Sequence, residues 1–479
     1  MALANGSQPG KQRFLREFFT FCVNGLREIP LLWKGTQRKV SLRPMRVPLL
    51  ALVFTSLAAA ASAPAPTFTK NVLPILQNNC QTCHRPGEAA PMSFLDYEHA
   101  RPWAKAIKTA VLAKQMPPWF ADPHYGHFSN APKLTDADVN TIVAWVDNGA
   151  KEGNPSDAPA PATFTEGWQI GKPDYIIEMP NAFPVPAIGT IDYQYILIPT
   201  AFKEDRYIQM AEARPGNKAL VHHIIAFIRE PGNPWMKDAQ PGVPYVPKRD
   251  GKSDGGAGIG DSLAGYAPGM TPQVLQPGQA KLLKAGSDII LQMHYTANGT
   301  AGTDRSRVGV VFAKEPPKER VLTLAAGTAA FAIPPGDADY KVDAKLTLQH
   351  DAMLVNLLPH MHFRGKSFEY RAVYPTGEKE VLLSVPHYDF NWQLTYYEAQ
   401  QKLLPKGTVI ECTAHFDNSA NNKFNPDPTK EVLYGEQTWE EMMFGFFDVA
   451  VPMDISPMEL LRPKKAVAQK AAPQTGAGL

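Results

Sequence analysis

Cysteine is scarce, with four in 479 residues, at positions 22, 80, 83 and 412. If Cys80 and Cys83 are used together, Cys412 has no partner past the N-terminal leader, which excludes the disulfide framework that staples small secreted domains. Charge of one sign is lacking as well. Forty-eight Lys and Arg stand against 46 Asp and Glu, so no nucleic-acid partner is indicated. Long apolar runs are also missing: the uncharged stretch 47–63 contains Pro48 and is short against the roughly 20 residues of a membrane helix. Proline, by contrast, is abundant. Its 45 copies are about twice the usual share of roughly 5%, which favours short strands and turns over long helices. At roughly 150 residues per domain, the length implies about three folded units.

The charge is unevenly spread. Residues 1–44 hold eight Lys and Arg against Glu17 and Glu28, and the apolar stretch that follows ends in small residues around 59–63. A basic segment, an apolar segment and a small-residue cleavage site are the order of a secretory signal, so 1–63 is read as leader and signal peptide, with Met45 an alternative start. Export to the periplasm is the expectation, and an uncleaved membrane anchor is the lesser reading.

Residues 80–84 read Cys-Gln-Thr-Cys-His, the C-x-x-C-H pattern of c-type haem attachment. Cys80 and Cys83 would add to the haem vinyls and His84 would ligate iron. A redox or zinc C-x-x-C is the competing reading. Val72, Leu73 and Leu76 precede the motif with helical spacing. Thr135–Asp138 resembles a capping box opening a helix with Val139, Ile142, Val143 and Val146 on one face. The expectation for 64–150 is a small all-α, class I-like cytochrome c. Its second axial ligand is expected to be Met116, in Gln-Met-Pro-Pro-Trp, ahead of Met92; His124 and His127 are the histidine alternatives.

Residues 151–165 are rich in Pro and Ala and read as a spacer. Beyond them, short apolar runs at 195–198, 219–228, 288–293, 307–312 and 353–358 are separated by Pro and Gly turns, and 250–269 reads as a Gly-rich loop. This is the punctuation of antiparallel sandwiches, placed at 166–310 and 311–465, with a disordered tail at 466–479.

Of twelve histidines, five fall on such runs, where an unpaired buried ring is costly. His222 and His223 are neighbours. Consecutive strand residues face opposite ways, so both reach one metal only at a bulge or strand end. His294 is a third ligand for that site, and three imidazoles suit copper or zinc. His360 and His362 lie two apart on one face, ready for a second metal, and the Met442–Met443 pair downstream offers a soft thioether of the kind Cu(I) prefers. His99, His350, His387 and His415 are read as structural, with His415 the nearest of them to a metal.

The ordered set VHH (221–223), LQMHY (291–295), PHMH (359–362), ECTAHFDNS (411–419) and EEMM (440–443) resembles the copper type II monooxygenases, the family of peptidylglycine α-hydroxylating and dopamine β-monooxygenases. The resemblance covers 166–455. It implies two jelly-roll-like sandwiches with one copper each: His222, His223 and His294 on the electron-storing copper, and His360, His362 and Met442, rather than Met443, on the oxygen-binding one. It further implies hydroxylation of a C–H bond by O2, with ascorbate or a redox protein as reductant and the haem as a route for electrons. Leu358 stands where the peptide enzyme has a carboxylate-reading arginine, and Phe444 and Phe446 replace polar contacts, so a small apolar substrate is expected. The competing non-enzymatic reading is a periplasmic haem and copper protein that transfers electrons or binds copper without turnover. A zinc hydrolase ranks third, because no Glu or Asp neighbours the H-x-H as a base.

Overall fold

The computed structural model describes residues 64–88, 90–164, 167–247 and 261–462. The leader with Cys22, the alternative start at Met45 and the tail after 462 lie outside them. Among the described residues no helix is long and apolar enough to cross a membrane.

The first described unit is helical. A π turn at Phe68–Val72 leads into Leu73–Asn79, followed by Tyr97–Ala100, Ala104–Leu112 and Asp136–Asp147. The last of these starts on the expected capping box. Thr135 Oγ1 accepts from the Asp138 amide at 3.1 Å while the Asp138 carboxylate accepts from the Thr135 amide at 2.9 Å, a cap that contributes about 1 kcal/mol. Its inner face buries Ile142 and Trp145 against Phe68, Val72, Leu76, Ile107 and Val111. The stretch read as a spacer begins by folding back: the Lys151 and Glu152 carbonyls accept from the Phe68 and Thr69 amides, and Ala160 accepts from Gln77. Its composition is that of a linker, but its carbonyls complete the helical unit.

The rest is β. Four strands, Gln194–Pro199, Asp288–Tyr295, Val221–Arg229 and Asp261–Tyr266, form one sheet. It packs through Ile196, Ile224, Leu263, Leu291 and Val310 onto Tyr175–Glu178, Arg307–Phe312, Arg206–Arg214 and Gln279–Leu283. In the second sandwich, Tyr340–Thr347, Val409–Phe416, Gly365–Val373 and Lys379–Val385 cover Glu319–Thr328, Met443–Pro452, Ala352–His360 and Tyr396–Leu404 through Leu324, Leu354, Tyr370, Leu383, Ile410 and Phe447.

Three expectations are corrected here. Arg307–Phe312 pairs with Arg206–Arg214, so the first sandwich runs through Phe312 and not to 310. The segment 250–269, read as a loop for its glycines, contains the strand Asp261–Tyr266, whose Leu263 and Ala264 are buried. The β region is also not purely antiparallel. Gln279 and Ala280 pair in parallel with Glu319 and Arg320, which joins the two inner layers into one nine-stranded sheet. At this seam Lys281, 1% exposed, donates to Asp261 at 3.2 Å and to Thr323 at 3.0 Å. Asp448 in turn accepts from Thr323 and Asn356, so the buried charge has the partners it needs.

A further connection crosses the molecule. The segment 117–131, between two helices of the first unit, lies along the edge strand Tyr396–Leu404. The Ser129 amide donates to the Tyr397 carbonyl at 2.9 Å, the Ala399 amide to the His127 carbonyl at 2.7 Å, and the Asp122 amide to the Ser384 carbonyl at 2.8 Å. Trp119 and Phe128 pack on the Tyr396 ring at 4.9 and 5.4 Å between centroids. The helical unit is therefore fastened to the second sandwich by main-chain pairing in addition to its covalent linker.

Candidate functional site

The strand Val221–Arg229 breaks register between Val221 and His223, the bulge that two adjacent ligating histidines require. His223 pairs directly with His294 across the ladder, and the bulge lets His222 join them. One ligand atom from each of the three rings lies within 4.8 Å of the others, and the Nδ1 atoms of His222 and His223 are 3.4 Å apart. His294 Nδ1 is buried without a hydrogen-bond partner. Tyr193, 4% exposed, closes the cluster with its ring 4.8 Å from His294 and 5.3 Å from His223, a contact that no local pattern announces.

The second cluster forms where Ala352–His360 ends. The His360 and His362 rings stand 5.2 Å apart at right angles. Gln393 Oε1 accepts from His360 Nδ1 at 2.7 Å, and the Glu440 carbonyl accepts from His362 Nδ1 at 3.2 Å. With Nδ1 donating, each ring presents a bare Nε2 lone pair, the arrangement typical of metal-bound histidine. His362 Nε2 is buried and has no partner.

Glu441 locks this turn. Its carboxylate, fully buried, accepts from the amides of His362 at 2.8 Å and Arg364 at 2.6 Å and from that of Met442. Burial pushes the carboxyl up to about 8 against the pull of these donors and of Arg364. The ladder pairs His360 with Phe444, so the same register continued two residues places Met442 opposite His362, on the shared face. Met442 is half-buried, whereas Met443 is fully buried in the sandwich core. Beside the histidines the same face carries Leu358, paired with Phe446, and Phe444 stacked on Phe446 at 5.4 Å.

Burial pushes His222 and His360 down to about 4 and His362 to about 3. Burial and neighbouring imidazoles hold His223 and His294 well below the ordinary value, and His360 and His362 are among the rings acting on His223. All five rings are neutral at pH 7, with lone pairs available. In the unfolded chain the rings take up protons below about pH 6.5, so metal-free protein loses stability as pH falls from there toward 4, by up to about 1.4 kcal/mol per unit per ring. Glu441 and Glu398, held up at about 8 and about 7 by burial, act in the opposite direction, but they are two against five. Denaturant midpoints of the metal-free chain should therefore fall steadily from pH 6.5 to pH 4.5; a flat profile would show the rings to be solvated.

In the helical unit the C-x-x-C-H turn closes with the His84 amide on the Cys80 carbonyl at 2.9 Å. The His84 ring stacks on Phe94 at 4.2 Å, and its Nδ1 is buried without a partner. Cys80 and Cys83 are free thiols. Burial first, and Cys83 second, push Cys80 up to about 12, the reverse of the lowered value that a redox C-x-x-C uses. Met92 packs on the helical core and its carbonyl accepts from the His84 ring. Met116 is half-buried where helix Ala104–Leu112 gives way to the docked segment. His124 and His127 are exposed on that segment. His99 is exposed and bonded to Asp96, and His415 bonds Asp339 in a groove of about 460 Å³ on the outer sheet, outside the three-histidine group.

The turn after His84 touches the first sandwich. Lys218 donates to Glu88 at 2.6 Å and to the Gly87 carbonyl at 3.0 Å, and it sits four residues before His222. Burial, and after it Glu88, push the hydroxyl of Tyr266, which pairs with Ile224 next to His223, up to about 12.

No family model matches the chain, and no curated protein matches it. Among solved structures, the VP54 protein of PBCV-1, fitted into a reconstruction of the virophage Sputnik, is 9% identical, covering 60% of this chain and 96% of that one at a TM-score of 0.20. The VP2 subviral particle of infectious bursal disease virus is 10% identical, covering 60% and 74% at 0.17. Likenesses this weak carry no functional argument.

Proposed function

We propose that the chain is an exported copper type II monooxygenase that hydroxylates a C–H bond of a small, apolar organic substrate with O2, with electrons arriving through an attached c-type haem. The observation that supports this most is the meeting of two unlike donor sets. One consists of three imidazoles, and the other of two imidazoles with a thioether at the adjoining register position, with unpartnered ring nitrogens in both. Unpartnered buried nitrogens are costly unless a ligand satisfies them, and the soft Met442 sulfur favours copper over zinc.

In this reading His222, His223 and His294 hold one copper, and His360, His362 and Met442 the other. Cys80 and Cys83 would hold the haem covalently, with His84 and Met116 the residues that would ligate its iron. The metals supply the one-electron chemistry with O2 that no side chain provides. The overall balance is C–H plus O2, two electrons and two protons, giving C–OH and water. Gln393 and the Glu440 carbonyl hold the second pair of rings in one tautomer. Leu358, Phe444 and Phe446 keep that face apolar and dry. The Lys218–Glu88 contact ties the C-x-x-C-H turn to the first sandwich four residues before His222, the side on which a haem would pass electrons on.

The test is elemental analysis and absorption spectroscopy of exported protein, followed by O2 uptake over a substrate panel. One iron and two coppers per chain, with a hydroxylated product, are expected. Turnover with a protein donor should be lost in Cys80→Ser. Haem with zinc, or with no second metal, would overturn the reading, and reversible redox without product would make the protein a carrier.

A further inference from the structure

The space between the two clusters is bridged by one side chain. Phe390 lies in the connection between strands Lys379–Val385 and Tyr396–Leu404 of the second sandwich, yet its ring stacks on His222 of the first. The His222 and Phe390 centroids are 5.5 Å apart at an interplanar angle of 9°. The same ring also meets His362 at 6.0 Å and 89°, and Phe363 at 4.8 Å. One aromatic ring therefore touches a ligand of each cluster, and it is 8% exposed.

The connection is anchored on both sides of Phe390. Two residues before it, the Tyr388 hydroxyl donates to the Met361 carbonyl at 2.9 Å and accepts from the Met361 amide at 3.1 Å, and the Tyr388 amide donates to Lys366. Three residues after it, Gln393 holds His360, and Leu394 is buried in the sandwich core. Trp392 packs against Gly269 of the first sandwich. A ring fixed at both flanks and packed on two metal-ligand candidates acts as a rigid spacer, and locked packing of this kind is what holds a site in productive geometry.

We propose that Phe390 is a positioning residue that sets the separation of the two histidine clusters and forms the ring contact between them. The inference rests on reading those clusters as two copper sites.

Two readouts on the full chain test this. In metal-free protein, nuclear Overhauser contacts from the Phe390 ring to both His222 and His362 are expected, together with an upfield ring-current shift of the His222 ring protons that disappears in Phe390→Leu. With copper alone as the probe, pulsed EPR on the two-copper protein should give a narrow copper–copper distance distribution. That distribution should broaden about twofold or more in Phe390→Ala, less in Phe390→Leu, and return in Phe390→Tyr, which keeps the ring. An unchanged distribution in Phe390→Ala with two coppers bound would overturn the proposal, as would the absence of both ring contacts in the metal-free spectrum. If Phe390→Ala does not fold, Phe390→Leu decides by the same criteria. Wild-type protein that takes up fewer than two coppers would bring down the copper reading, while the metal-free contacts would still decide whether Phe390 sets the spacing.

Discussion

Replacing Glu441 with alanine is expected to cost the metal-free protein about 3 to 5 kcal/mol and to release the His360–His362 turn. The carboxylate is the common acceptor for three consecutive constraints: the amides of His362 and Arg364 from one strand end and that of Met442 from the other. Without it, three amide donors lose their acceptor, and each one left buried and unsatisfied costs about 1–3 kcal/mol. Arg364, its side chain 2% exposed with Nη1 4.0 Å from Glu441, loses a packed neighbour, although Asn418 and the Trp439 carbonyl still accept from it. Glu441→Gln retains an acceptor oxygen and should lose less than half as much. Urea unfolding of the two variants beside the parent measures the difference. A loss below 1 kcal/mol for alanine would mean that the turn is held by packing alone.

On the proposed two-copper reading, Met442→Leu is expected to abolish hydroxylation and to lose one of the two coppers, while Met443→Leu keeps both. The two methionines are neighbours of identical chemistry on opposite faces. Met443 shares the core with Tyr370, Leu383 and Phe447, where a swap of similar volume costs under about 1.5 kcal/mol. Met442 stands at the register position facing His362, where leucine keeps the volume but removes the donor. Loss of a ligand should exceed the roughly 10- to 100-fold that removal of an outer-shell partner costs in affinity or activity. Copper counted per chain for each variant decides, and equal counts would remove Met442 from the site.

Much of this arrangement was legible because it is local. The bulge at His222 follows from two adjacent histidines that must face one side of a strand to meet His294, and the capping box at Thr135 from residues three apart. The alternation that sends Met443 inward also depends on Gly445, which packs against Cys412 and Tyr370 where a Cβ would not fit. What was not legible depends on distant pairs. Gln393 orients a histidine 33 positions earlier, and nothing in Asn-Trp-Gln-Leu marks it as a metal-site residue. Glu441 was visible only as half of an acidic pair, because its amide partners are main-chain groups 77 and 79 residues away. The parallel seam escaped notice because a two-residue pairing leaves no periodicity. Nothing local marks Trp119 and Phe128 as partners of Tyr396, more than 260 residues later.

That covered edge bears on the order in which the chain is made. Ser129 pairs with a residue 268 positions later, and at ~5–20 residues per second some tens of seconds of synthesis separate the two. Through that interval the 117–131 segment lacks the edge it pairs with, the situation in which chains pair with the wrong neighbour. Pro117, Pro118 and Pro123 each remove an amide donor from it, so it offers a poor template to a stranger. It becomes a good partner only when the Tyr397 edge presents itself, and until then the helical unit stays undocked from the second sandwich.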